Sequence, residues 1–104
     1  MKLEYLFSSG GDGLKVIRNT NFELIKIADE NLAIPIGDEA TKFHGVVTLS
    51  EPAAFLLNIL NRPQSVEDLV ENLINEYEVD EVTAERDIKS IITIFRDYHL
   101  ILDT

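Results

Sequence analysis

The spacing of apolar residues changes near the middle of the chain. Before Leu49 they fall in short runs of strand character, and after it they recur at helical intervals. Leu14–Arg18 reads as a short strand or a lead-in. Phe22–Ala28, rich in Phe, Leu and Ile, is a clearer strand, although its alternation slips between Phe22/Leu24 and Ile25/Ile27. The slip implies a bulge, or two partly covered faces. Asp29-Glu30-Asn31 supplies a turn, and Leu32–Ile36 returns with Leu32, Ile34 and Ile36 on one face. Pro35 limits regular pairing there. Gly37–Lys42 reads as a polar loop and His44–Leu49 as a third short strand. Short connections imply an antiparallel meander with Val46–Thr48 at one edge.

Thr48–Leu60 joins the two halves. Ser50 can cap a helix, Glu51 complements its positive end, and Pro52 stands where a missing N–H costs nothing. Phe55, Leu56, Ile59 and Leu60, widened by Ala53 and Leu57, leave this helix apolar almost all round. It should be buried as a central post. Asn61-Arg62-Pro63-Gln64 ends it, and Ser65-Val66-Glu67-Asp68 has the form of a capping box, with Asp in place of the longer Glu. Val66, Leu69, Val70, Leu73, Ile74 and Tyr77 trace the stripe of a second helix. Glu78-Val79 is a tight connection, and Asp80 caps a third helix with Ala84, Ile88, Ile91, Ile92 and Phe95 inward. Tyr98–Ile101 docks the C-terminus. The predicted fold class is α+β: a three-stranded antiparallel sheet followed by three helices, winged helix-turn-helix-like, with the sheet first. Residues 1–20 read as an N-terminal extension and 21–104 as the domain.

Composition narrows the function. With 104 residues and 45% hydrophobic content, the chain fits one domain with a modest core. Nine Lys+Arg against nineteen Asp+Glu give a net charge of −10, which disfavours nucleic acid and anionic membranes as partners. The second helix carries no basic residue, and the third sets Arg86, Lys89 and Arg96 among acidic neighbours, unlike a DNA-reading helix. There is no cysteine, so thiolate and iron–sulfur chemistry are excluded for this chain. No stretch at Met1–Phe7 resembles a secretory signal, and no apolar run approaches a membrane span. These features place the protein in the cytoplasm.

Candidate chemistry falls away on inspection. Ser8-Ser9-Gly10-Gly11-Asp12-Gly13 lacks the Lys-Ser or Lys-Thr of a phosphate loop, and Val16 stands where a dinucleotide motif needs glycine. His44 and His99 have no partner ligand at metal-binding spacing. The serines lack a nucleophile-elbow context. Glu76, Glu78, Asp80 and Glu81 cluster around a turn, where solvation and helix capping account for them. The reading is no catalysis, no cofactor and no metal. What remains is a binding module with an edge strand beside a helix groove, the physical setting for β-strand addition by an extended peptide. A winged-helix protein-interaction or transcription-regulatory domain is the alternative.

The chain resembles the PqqD family, the peptide chaperones of cofactor and peptide-natural-product maturation, also called RiPP recognition elements. The resemblance rests on Ala33-Ile34-Pro35-Ile36-Gly37-Asp38-Glu39-Ala40, then Phe43-His44-Gly45-Val46-Val47-Thr48-Leu49-Ser50-Glu51-Pro52-Ala53-Ala54-Phe55-Leu56. It continues in Ser65-Val66-Glu67-Asp68-Leu69-Val70, Tyr77-Glu78-Val79-Asp80 and Asp87-Ile88, and covers roughly Phe22 to Leu102. His44 and Ser50 depart from it, standing where Asn is commoner. The resemblance implies that a precursor's leader peptide binds as an added strand along the third strand, against the third helix. It also implies presentation to a radical S-adenosylmethionine (SAM) maturase, as a monomer or homodimer. The peptide-binding residues would then be Gly45, Val46, Val47 and Thr48, with Asp87, Ser90 and Ile94 on the helix. The inward stripe of that helix has a second flank, Glu85, Lys89 and Arg96. Ile94, apolar yet off the core direction, favours the first.

Overall fold

The computed structural model describes residues 14–42 and 45–104. Ser8–Gly13, Phe43 and His44 lie outside the described residues. Among those described, six strands and four helices alternate: β1 (Lys15–Arg18), β2 (Phe22–Ile27), β3 (Glu30–Pro35), α1 (Asp38–Lys42), β4 (Val47–Leu49), α2 (Glu51–Ile59), β5 (Gln64–Ser65), α3 (Val66–Tyr77), α4 (Glu81–Asp97) and β6 (Ile101–Asp103). They make two antiparallel three-stranded sheets, β2-β3-β4 and β5-β1-β6. The first is the expected meander, with β4 at its edge.

Several boundaries differ from the sequence expectation for physical reasons. The β2–β3 turn is Ala28-Asp29, not Asp29-Glu30-Asn31, and both turn residues have positive φ, 51° and 68°. Such a two-residue turn matches the right-handed strand twist even without glycine. The β2–β3 register runs unbroken from Phe22↔Pro35 to Ile27↔Glu30, so there is no bulge. The slipped alternation instead leaves Ile25 half-buried and Ile27 exposed on the face opposite Leu24 and Ala33. The predicted polar loop Gly37–Lys42 contains α1, opened by Gly37 at φ 59° and stabilised by Asp38 and Glu39 in its first turn. Among the described residues, four helices therefore stand where three were expected.

The second sheet was not legible because its pairings are distant in sequence. β1 lies within the stretch set apart as an extension, yet it is the central strand here, with Val16↔Gln64 on one side and Ile17↔Leu102 on the other. Asn19 fastens the β1–β2 corner to the end of α4. Its backbone N–H donates to Leu100 O at 2.9 Å, and its Nδ2 donates to His99 O at 2.8 Å and to Glu39 Oε2 at 3.3 Å. This corner is why a carboxylate such as Glu39 is tolerated in a buried position.

The helices follow their local signals closely. Ser50 Oγ accepts from Ala53 N–H at 3.2 Å. Leu56, Leu57 and Leu60 are fully buried, and Ala53 and Ala54 nearly so, which makes α2 the central post. Leu69, Val70 and Leu73 of α3, and Ala84, Ile88, Ile92 and Phe95 of α4, complete the core. The capping box is formed in both directions: Asp68 N–H donates to Ser65 Oγ at 3.1 Å and Ser65 N–H to Asp68 Oδ2 at 3.0 Å. Asp is therefore long enough here. Glu78, left-handed at φ 56°, closes α3, and Asp80 accepts from Thr83 N–H to start α4.

The bond from the Ser65 N–H holds the Asp68 carboxyl below its ordinary value of 3.8. Its stabilising contribution is therefore complete above the unfolded value of 3.8 and is lost as pH falls through the lower folded value. Ser65→Ala should lower unfolding free energy by about 1 kcal/mol at neutral pH. Asp68→Asn should instead flatten the acid side of the stability curve. Urea midpoints across the acid range check both, and an unchanged neutral midpoint for Ser65→Ala would contradict the cap.

Candidate functional site

β4 is an edge because the chain leaves the sheet at once. Leu49 is followed directly by Ser50, the cap of α2, so the strand ends after three residues. On its paired side the register is Ala33↔Val47, Leu32↔Thr48 and Asn31↔Leu49. On the other side no strand is hydrogen-bonded among the described residues. Val47 and Leu49 point into the core, while Val46 and Thr48 are exposed. Gly45, just before the strand, adopts φ 112°, a conformation that side chains of L-residues rarely take. Val46 therefore belongs to the approach, and the strand begins at Val47.

Beside the end of this strand lies a cavity of about 470 Å³. Ser50 and Pro52 form one wall, Leu73, Tyr77 and Val79 a second, and Asp87, Ser90 and Ile91 of α4 the third. The structure thus brings Asp87 and Ser90 together with the start of α2. Ile94 does not line the cavity; it stands one turn further along α4, 47% exposed. The opposite flank is engaged elsewhere, since Arg96 Nη2 reaches Asp103 Oδ1 of β6 at 2.8 Å. Ser50, Pro52, Tyr77 and Val79 were not singled out as site residues. Tyr77 reads as the last position of the α3 stripe and as part of the family resemblance, and neither signals that a wall ends there.

The cavity is apolar in its walls and negative in its surroundings. The Tyr77 ring meets Phe55 edge-to-face, centroids 5.8 Å apart and planes at 86°. Burial raises the Tyr77 hydroxyl pKa, and the carboxylates of Glu51 and Glu76 push it the same way. Glu51 accepts from Asn31 Nδ2 at 3.1 Å and from Lys26 Nζ at 3.3 Å, tying α2 to the sheet, and both bonds lower its pKa. Among the described residues no three His, Asp or Glu converge as metal ligands. His99 faces Glu39, Nδ1 to Oε1 at 3.7 Å. No helix among the described residues is long and apolar enough to cross a membrane.

Fold and site together define a small mixed domain that exposes a strand edge beside a helix-lined cavity. A family model for coenzyme PQQ synthesis protein D (PqqD) matches residues 36–101, and the chain belongs to the PqqD family. Among solved structures it is similar to TbiB1 in complex with the TbiA(beta) leader peptide, with a TM-score of 0.64 and 19% identity over 82% of this chain and 93% of that one. At that identity the likeness is one of fold. No curated protein matches the chain.

A Cβ at position 45 would meet no atom of the described residues within 4 Å, so the penalty of alanine there comes from the backbone. Gly45→Ala should cost on the order of 1–3 kcal/mol, read as a lowered denaturant midpoint. A D-alanine introduced at the same position by semisynthesis should keep the parent midpoint. Equal loss with both enantiomers would mean that the space, not φ, is limiting.

Proposed function

We propose that this protein is a non-catalytic peptide-recognition module that captures the leader of a ribosomally made precursor peptide by β-strand addition to β4. The observation that carries the reading is the open edge of β4 beside a cavity walled by α2, α3 and α4. Family membership and the fold shared with a leader-bound protein support it. Backbone groups of Val47 and Thr48, approached from Gly45 and Val46, pair with the peptide. Asp87 and Ser90 face the peptide from the cavity, and exposed Ile94, one turn further along α4, meets it beyond the cavity. The Arg96 flank is engaged with β6, which supports this choice of flank.

The family resemblance implies a radical SAM maturase as the partner that performs chemistry; the cysteine-free chain holds no iron–sulfur cluster by itself. The module works in the cytoplasm, as a monomer or homodimer, and delivers substrate. The α3–α4 pair beside the sheet supports a winged helix-turn-helix-like description. That shape does not favour DNA binding here, because α3 carries no basic residue.

A few backbone hydrogen bonds at about 1 kcal/mol each and two or three buried side chains at about 1.5–3 kcal/mol each offset the ordering cost. The balance leaves an affinity near micromolar, about −8 kcal/mol. Titrating amide-labelled protein with the leader encoded beside a neighbouring radical enzyme should shift Val47–Leu49 and α4. Ile94→Asp should weaken binding about tenfold, consistent with losing one buried apolar side chain, without unfolding the protein. Val46→Thr should change affinity less than about threefold, since backbone pairing is indifferent to it. Shifts confined to α3 would defeat the strand-addition reading.

A further inference from the structure

The geometry points to a preference for a basic side chain: we infer that the cavity between α2, α3 and α4 seats a lysine or arginine of the bound peptide, with Asp87 taking its charged end. The inference rests on the peptide-binding reading above and names the chemistry of one peptide position. Pro52, Leu73, Tyr77, Val79 and Ile91 offer the apolar length that a lysine or arginine stem buries well. Among the described residues Asp87 is the one carboxylate lining the cavity, and Ser50 and Ser90 add hydroxyls. An aromatic wall at Tyr77 favours a cation further.

Charge around the cavity runs the same way. Glu51 and Glu76 both act on Tyr77, raising its pKa alongside burial, so the field at the ring is negative. The chain as a whole carries −10. Two positive features could oppose this. Arg86 Nε lies 3.8 Å from Asp87 Oδ1, but both side chains are exposed and such a contact is weak. The N-terminus of α2 also abuts the site, yet Ser50 Oγ already takes the Ala53 N–H and Glu51 stands in its first turn. An apolar anchor would fill the walls equally well but would cover Asp87 and leave its carboxylate only the weak contact with Arg86, which costs free energy.

The test pans a random dodecapeptide display library against the immobilised full-length protein, with Asp87→Asn protein as a parallel target. Enriched peptides are resynthesised and titrated into amide-labelled protein. Peptides selected on the parent should share a lysine or arginine at one aligned position, and those selected on Asp87→Asn should not. Replacing that residue by norleucine should weaken binding about three- to tenfold, as should Asp87→Asn, and the two losses should not add. Peptides that shift Val47–Leu49 but carry an aliphatic or aromatic residue there, indifferent to Asp87→Asn, would overturn the basic-side-chain inference and leave strand addition standing. Peptides that leave Val47–Leu49 unperturbed, or no enrichment on either target, would overturn both.

Discussion

The burial of α2 is the constraint on which the rest of the structure depends. A helix with Leu56, Leu57 and Leu60 shut off from water and Ala53 and Ala54 nearly so must be covered on almost every side. β4 covers one part, α3 another, and the backbone of Arg18 in β1 donates to Leu60 O at 2.8 Å just past its end. Each of these elements is small and would be marginal alone. Around a shared post they become a single core. The same demand sets the site. Because Ser50 must cap α2 immediately after Leu49, the chain cannot run on to a tight hairpin, and among the described residues no strand neighbours the outer side of β4.

What was legible in the sequence was what local chemistry encodes. Ser50, Ser65 and Asp80 announced three helix starts, because an N-cap uses atoms three residues apart. The edge position of β4 followed from short connections. What was not legible depended on partners far along the chain. Gln64–Ser65 is a strand only because Lys15 and Val16 lie beside it, and Ile101–Asp103 only because β1 lies between. The turn at Ala28-Asp29 lacked its usual glycine, so strand twist rather than composition decides it.

The groove shows the same division. Helical spacing told which residues of α4 face inward, but a stripe has two borders and spacing does not say what stands across each. That depends on where β6 and the end of α3 fall. Arg96 meets Asp103 because β6 returns along that side, and Asp87 meets a cavity because Tyr77 and Val79 end α3 opposite it. Tyr77 could be read as the last apolar position of a stripe. Its place as a wall could not, since the left-handed Glu78 that turns the chain there is not a residue type that signals such a conformation.

On the proposed reading, affinity and discrimination have separate physical origins. Pairing with β4 engages backbone groups that every peptide possesses, so it supplies binding without telling one sequence from another. Discrimination must then come from what surrounds the edge. A cavity of about 470 Å³ admits one or two side chains and rejects others by shape and charge. The charge of −10 acts over a longer range, slowing the approach of acidic segments and of nucleic acid and hastening that of basic ones. An exposed edge strand that accepted every extended chain would be an aggregation hazard. With β4 only three residues long and set in a negative field, non-specific pairing remains weak, and only a peptide that also fills the cavity gains enough to stay bound.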